Sequence, residues 1–110
     1  MTSARKAAIA AYKEQKTIAG IFLIRCAATA ETWVGQTPNL EKIQNRIWFS
    51  LRQGSHPCRS LQMAWTAHGP DNFTFEECER LEEEETPYIR DGRLKERAVH
   101  WRSQFGAQVV

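Results

Sequence analysis

The chain has 110 residues, the length of a single domain, and its 42% hydrophobic and 25% charged residues exclude a wholly disordered protein. No stretch reaches the roughly 18 apolar residues of a membrane helix, and charged residues interrupt positions 2–16, where a secretory signal needs an apolar core; we therefore expect a cytoplasmic protein without a membrane partner. The net charge is +2, but the charges are unevenly distributed. Residues 1–69 hold nine basic and three acidic side chains, whereas residues 70–91 hold two basic and nine acidic ones.

The first predicted elements are one helix and two strands. Residues 3–16 are rich in alanine, a strong helix former, and Ser3 is placed to cap them, so they predict a helix that packs as an appendage. Residues 18–26 are mainly β-branched and apolar and predict a central strand, and residues 32–36 predict a second one. The short connection between the two strands favours an antiparallel hairpin.

Two helices are predicted after the hairpin. Thr37 or Asn39 can cap a helix over residues 40–53, in which apolar residues recur at helical spacing. Pro57 suits the first turn of a second helix, which ends at residues 68–70. The apolar face of the first helix consists of Leu40, Ile43, Ile47 and Leu51.

A third strand and a last helix complete the predicted elements. Residues 72–81 predict the strand, and residues 86–92 predict an irregular segment because Pro87 breaks regular structure. Residues 94–105 predict the helix. The expected core residues of these two elements are Phe73 and Phe75 in the strand and Leu94, Ala98, Trp101 and Phe105 in the helix.

The order of helix, strand, strand, helix, helix, strand, helix indicates an α+β fold. We expect a small three-stranded, mainly antiparallel sheet that is flanked by helices. Residues 1–17 are predicted to form an N-terminal helical extension, residues 18–106 the α+β domain and residues 107–110 a tail.

Two short cassettes in the predicted hairpin each set an aromatic ring near a glycine. They are Gly20-Ile21-Phe22 and Trp33-Val34-Gly35, and the second leads through Gln36-Thr37-Pro38-Asn39 to Leu40. Three further segments follow in compatible order: Leu61-Gln62-Met63-Ala64-Trp65 with His68-Gly69, Asn72-Phe73-Thr74-Phe75-Glu76, and Leu94-Lys95-Glu96-Arg97 with Trp101. Together these segments resemble the GIY-YIG nuclease family over residues 19–105.

The resemblance implies phosphodiester hydrolysis with one divalent metal, Mg²⁺ in an active member, supported by tyrosines, an arginine, a histidine and a metal-binding glutamate. The two tyrosine positions fall on Phe22 and Trp33, which lack a phenolic hydroxyl. The arginine position falls on Ile43, the histidine position on or near Ile47, and the glutamate position on Ala98. The resemblance therefore predicts a nuclease-like fold with impaired catalysis and no cofactor.

A basic surface is the second functional indication. Arg46 lies one turn after Ile43, where its guanidinium can grip phosphate, or where it is simply a solvated helix residue. The rings of Trp48 and Phe49 can stack on bases or pack in the core. We predict nucleic-acid contacts for Lys42, Arg46, Arg52, His56 and Arg59, although the charged segments can also be no more than solvated faces.

Two other functions stay open at this point. A divergent metal-dependent endonuclease would need a carboxylate from elsewhere and a base such as His56. A protein-interaction module or homodimer would use the acidic run at residues 82–85 or the apolar run at residues 47–49. The carboxylates available to the endonuclease are Glu76, Glu77, Glu79 and Asp91.

No metal site is predicted from the cysteines and histidines. The three cysteines form no CxxC pair and are expected to be small buried residues, and no two histidines have ligand spacing. Glu96 is turned roughly 200° away from Ala98 around the predicted helix, so it is a poor substitute for the family's metal-binding glutamate. His68 is expected to be structural at a helix end and His100 to be solvated.

Overall fold

The computed structural model describes residues 18–81 and 86–110, so the helix predicted over residues 3–16 lies outside the described residues. The described chain combines helices with a sheet whose three long strands pair antiparallel, which confirms the α+β prediction. The elements are β1 (Gly20–Cys26), β2 (Thr32–Thr37), α1 (Leu40–Arg52), α2 (Arg59–His68), a 3₁₀ turn (Pro70–Asn72), β3 (Phe73–Arg80), α3 (Pro87–Phe105) and β4 (Gln108–Val109). None of the helices in the described ranges combines the length and apolarity that spanning a membrane requires.

The sheet is built around β1, which pairs antiparallel with β2 on one side and with β3 on the other. The predicted hairpin is confirmed, with Phe22 opposite Gly35. The sheet has four strands in the order β3-β1-β2-β4, where three were predicted. The additional strand, β4, comes from the segment that was expected to be a tail, and it pairs in parallel with β2.

β4 could not be recognised in the sequence because a two-residue strand has no alternating pattern. It forms because α3 returns the chain to the outer edge of β2. There the backbone N–H of Val110 donates a hydrogen bond to the carbonyl oxygen of Val34, at 3.2 Å. This pairing covers part of a strand edge that would otherwise present free backbone groups.

The core consists of two clusters on opposite faces of the sheet. Successive side chains of a strand point to opposite faces, so Phe22 and Ile24 enter one cluster while Ile21 and Leu23 enter the other. The larger cluster lies under α1 and α2, and the smaller one lies under α3. This division decides which of the predicted site residues can meet.

The helix α1 follows its sequence pattern closely. The side chain of Asn39 accepts a hydrogen bond from the backbone N–H of Lys42 at 3.3 Å, so Asn39 is the cap. Along the predicted apolar face Ile43 is half-buried, and the other three residues are buried, namely Leu40, Ile47 and Leu51.

The helix α3 begins at Pro87, seven residues before the predicted start. Proline breaks a helix in its interior but suits the first turn, where its missing N–H is not needed. Leu94 and Ala98 are buried as predicted, whereas Phe105 is 40% exposed and is not a core residue. The last turn of α3 extends past the smaller cluster. The apolar spacing of the sequence continues into this turn, but no core surface lies beneath it.

Candidate active-site positions and basic surface

The two glycine cassettes lie side by side in the hairpin of β1 and β2, where Phe22 is paired with Gly35. Phe22 is only 2% exposed, and its ring lies over Gly35, its register partner. A Cβ atom at Gly35 would lie 2.9 Å from both Cε atoms of the ring and closer still to Cζ. The ring of Phe75 in β3 stacks with that of Phe22, with ring centroids 5.2 Å apart. The ring of Phe22 therefore fills a closed apolar site.

Trp33 is fully buried in the same cluster. Its indole N–H donates to the hydroxyl oxygen of Ser60 at 2.9 Å, which satisfies the single polar group of the ring. The thiol of Cys58 is 3.5 Å from that hydroxyl and donates to the carbonyl oxygen of Val109 at 3.4 Å. The sequence analysis missed Ser60, because a serine in the first turn of a helix has no distinguishing pattern.

The remaining family-equivalent positions are also apolar and are divided by the sheet. Ile47 is buried and Ile43 half-buried on the α1 side. Ala98 lies under α3 on the opposite face, beside Ile21 and Val34. The sheet therefore separates Ala98 from Phe22 and Trp33.

The two faces approach each other at the outer edge of β2, around a cavity of about 120 Å³. Its lining includes Gly35, Ala98 and the C-terminal residues Val109 and Val110. Arg102, which was not among the predicted site residues, is the single charged side chain among the described residues of that lining. Among the described residues that line it there is no acidic side chain, so it offers a metal ion no carboxylate ligand.

The carboxylates that could have served a divergent endonuclease are each engaged elsewhere. Glu77 binds Arg80 at 2.8 Å, Asp91 binds Arg90 at 3.1 Å, and Glu76 lies 3.9 Å from Arg25. Glu79 accepts hydrogen bonds from Arg97 and Trp101, each at 2.8 Å. Within residues 18–81 and 86–110, no three acidic, histidine or cysteine residues come together as metal ligands would.

The family-equivalent positions accordingly do not fit a divalent metal. A hard cation such as Mg²⁺ needs oxygen ligands, and phenyl, indole and aliphatic side chains offer none. Glu96 is exposed, as expected for a residue turned away from Ala98.

His56 lies in the loop between α1 and α2, where its ring is half-buried. Its Nδ1 accepts a hydrogen bond from the backbone N–H of Cys58 at 3.0 Å. Burial lowers the pKa of His56 from its ordinary value of 6.5, so the ring is neutral at pH 7. His56 therefore shapes the loop and adds no positive charge to the basic surface near neutral pH.

Two solved structures resemble this chain. The catalytic domain of the homing endonuclease I-TevI matches with a TM-score of 0.70 and 22% identity, over 84% of this chain and 97% of that one. A point mutant of the catalytic domain of intron endonuclease I-TevI matches with a TM-score of 0.69 and 24% identity, over 82% and 86%. The chain has a GIY-YIG-like fold. No protein-family model and no curated protein matches it.

The lysine and the three arginines that were predicted to contact nucleic acid lie on the outside of α1 and at the start of α2. All of them are exposed, and none forms an ion pair within the described part of the chain. Trp48 and Phe49 are adjacent in the sequence, but the structure places their rings in different environments. Trp48 packs against Trp65 and Phe75, whereas Phe49 is 59% exposed. These four residues are Lys42, Arg46, Arg52 and Arg59.

Restoring the first tyrosine of the family pattern should not restore a catalytic group. Phe22→Tyr places a hydroxyl on Cζ, which faces Gly35 in the closed cluster, so we expect a loss of about 1–2 kcal/mol in the free energy of unfolding from a buried, unpaired hydroxyl. Urea denaturation measures this loss. Phe75→Tyr, on the half-buried ring stacked against Phe22, is the matched control and should cost less. A Phe22→Tyr variant as stable as the parent would show that a polar partner exists at this position.

Proposed function

We propose that this chain is a nucleic-acid-binding member of the GIY-YIG family that has lost phosphodiester hydrolysis. The observation that carries the proposal is the burial of the family-equivalent positions. They hold five apolar side chains inside or against the two core clusters, namely Phe22, Trp33, Ile43, Ile47 and Ala98. A general base needs a titratable atom within hydrogen-bond reach of the attacking water, and none of these side chains has one.

Nucleic acid is the partner that the remaining surface supports best. The likeness to the catalytic domain of an endonuclease favours a polynucleotide ligand over a small molecule. The four exposed cations Lys42, Arg46, Arg52 and Arg59 can neutralise phosphates, and arginine does so with two parallel hydrogen bonds. Binding in this arrangement requires neither a metal nor a titrating group.

No cluster of described residues favours the alternative of a divergent endonuclease. Its candidate carboxylates would have to leave partners such as Arg80 and Arg97 before they could bind a metal. His56 would also have to give up the hydrogen bond that its ring accepts from the backbone of Cys58 if Nδ1 were to act as a base.

Two assays on the same purified chain test the proposal. Fluorescence anisotropy with labelled DNA should show binding that weakens as salt rises, and Arg46→Ala should lower the slope of log affinity against log salt by about 0.7–0.9, the value of one phosphate contact. Lys95→Ala is the matched control, because Lys95 is also exposed but lies on α3, and it should leave the slope unchanged. Incubation of the same DNA with Mg²⁺ or Mn²⁺ should leave it uncut.

Two results would overturn the proposal. One is the absence of binding even at low salt. The other is metal-dependent cleavage that stays with the protein through purification and disappears in Arg46→Ala, since that would establish an active nuclease.

A further inference from the structure

The outer face of α1 carries a stripe of basic residues with one aromatic ring at its centre. An α-helix turns by about 100° per residue, so residues three, four and seven positions apart lie on one side. Relative to Phe49, Asn45 and Arg46 precede it by four and three positions, Lys42 by seven, and Arg52 follows by three. We call these five residues the Phe49 stripe. All five are exposed, and none of them is acidic.

Phe49 points away from the core. The buried face of α1 is formed by Leu40, Ile47 and Leu51, and Phe49 lies on the opposite side of the helix from the mean direction of these three. Its neighbour Trp48 contributes its ring to the larger core cluster. The packing of α1 against the core therefore does not use the ring of Phe49.

The charges around the ring of Phe49 indicate which kind of partner binds over it. A second copy of this chain, docked through the same stripe, would bring like charges together and would be repelled. A polynucleotide matches both features, because its phosphates pair with cations while its bases offer flat faces to a ring. The bases of a duplex are stacked on one another, so only a single strand or a loop exposes such a face.

We infer that the Phe49 stripe binds single-stranded nucleic acid, with Phe49 stacked on one unpaired base and Lys42, Arg46 and Arg52 on the flanking phosphates. The stripe spans about 15 Å from Lys42 to Arg52 at 1.5 Å per residue, enough for more than one nucleotide. This inference rests on the proposed nucleic-acid binding and adds the strand preference and the residue responsible for it. The stripe lies on the outer side of α1, away from the buried positions Phe22 and Trp33.

The test compares one oligothymidylate of about 16 nucleotides with a duplex of the same length. Phe49→Ala should weaken single-strand binding by about 5-fold or more, the loss of one stacked base, and should leave duplex binding and both salt slopes unchanged. Phe49→Trp should keep or strengthen single-strand affinity, whereas Phe49→Leu should be as weak as alanine because leucine has no aromatic face. Met63→Ala is the matched control, since Met63 is apolar and 71% exposed on α2, and it should change nothing.

The outcomes separate this inference from the proposed function. If Arg46→Ala weakens binding while Phe49→Ala has no effect, the chain binds nucleic acid but the stacking role of Phe49 is wrong. If Phe49→Leu binds as the parent does, the contact needs only an apolar side chain and the inference also fails. If light scattering shows a dimer that Phe49→Ala converts into a monomer, the ring is a self-association contact and the inference is overturned.

Discussion

Gly35→Ala should destabilise the domain by about 2–3 kcal/mol, although alanine is ordinarily no worse than glycine in a strand. The new Cβ would enter the ring of Phe22, which has little room to move because it is buried and stacked with Phe75. Overpacking of a closed core forces side chains or backbone out of their minima, and this is the origin of the cost. Urea denaturation followed by tryptophan fluorescence measures the change.

A second substitution identifies the cause of this loss. Gly35→Ala combined with Phe22→Leu should lose less stability than the two single changes added together, because the shorter side chain vacates the space that the new Cβ needs. Gly92→Ala is the matched control, since a Cβ there meets no atom within 4 Å and the residue lies inside α3. It should stabilise the domain by up to about 1 kcal/mol through helix propensity. Simple additivity of the two changes at Gly35 and Phe22 would contradict the proposed contact.

Glu79→Ala should cost about 2–3 kcal/mol, because this one carboxylate joins β3 to α3. Its Oε1 accepts from Nε of Arg97 and from Nε1 of Trp101, each at 2.8 Å, and its side chain is only 26% exposed. Hydrogen bonds to charged groups are each worth about 1.5–3 kcal/mol, and truncation also leaves the half-buried indole N–H unpaired. Chemical denaturation at pH 7 provides the comparison.

The same contact should make stability depend on pH. Burial opposes the ionisation of Glu79, but the hydrogen bonds from Trp101 and Arg97 outweigh it and lower the pKa of this carboxyl below its ordinary 4.5. A carboxylate with a lowered pKa in the folded state adds stability above its unfolded pKa and loses it as pH falls through the folded value. The stability difference between the parent and Glu79→Gln should therefore shrink below pH 4.5. Glu76→Gln is the control, because Glu76 is more than half exposed and 3.9 Å from Arg25; a Glu79→Gln difference that stays constant with pH would contradict this account.

The positions to which the family resemblance assigns catalytic groups hold packed apolar side chains in this fold. An arginine or histidine at Ile47 would be buried and would require a partner that this cluster does not supply. The two isoleucines of α1, the ring of Phe22 and Ala98 instead contribute apolar surface, at about 25 cal/mol for each Å² removed from water. The positions that define the family pattern in the sequence thus support the fold here.

Most of the local structure could be predicted from the sequence because its signals are local. The run of β-branched and apolar residues in β1, a cap at Thr37 or Asn39 and the spacing of Leu40, Ile47 and Leu51 each depend on neighbours within a few turns or strand positions. The same locality explains the errors. Pro87 was read as a breaker because the sequence does not show whether a proline lies in the first turn or in the interior of a helix.

By itself, the sequence determined the α+β class, the hairpin and the apolar face of α1, and it places other residue types at the positions to which the resemblance assigns tyrosine, arginine, histidine and glutamate. Only the tertiary structure decided that Phe22 lies against Gly35, that Trp33 hydrogen-bonds to Ser60, and that β4 covers part of the edge of β2. It also separated Trp48 from Phe49, which are adjacent in the chain but lie on different sides of α1. The physical reason is that residue type and spacing are properties of a segment, whereas burial and exposure depend on which distant segments pack against it.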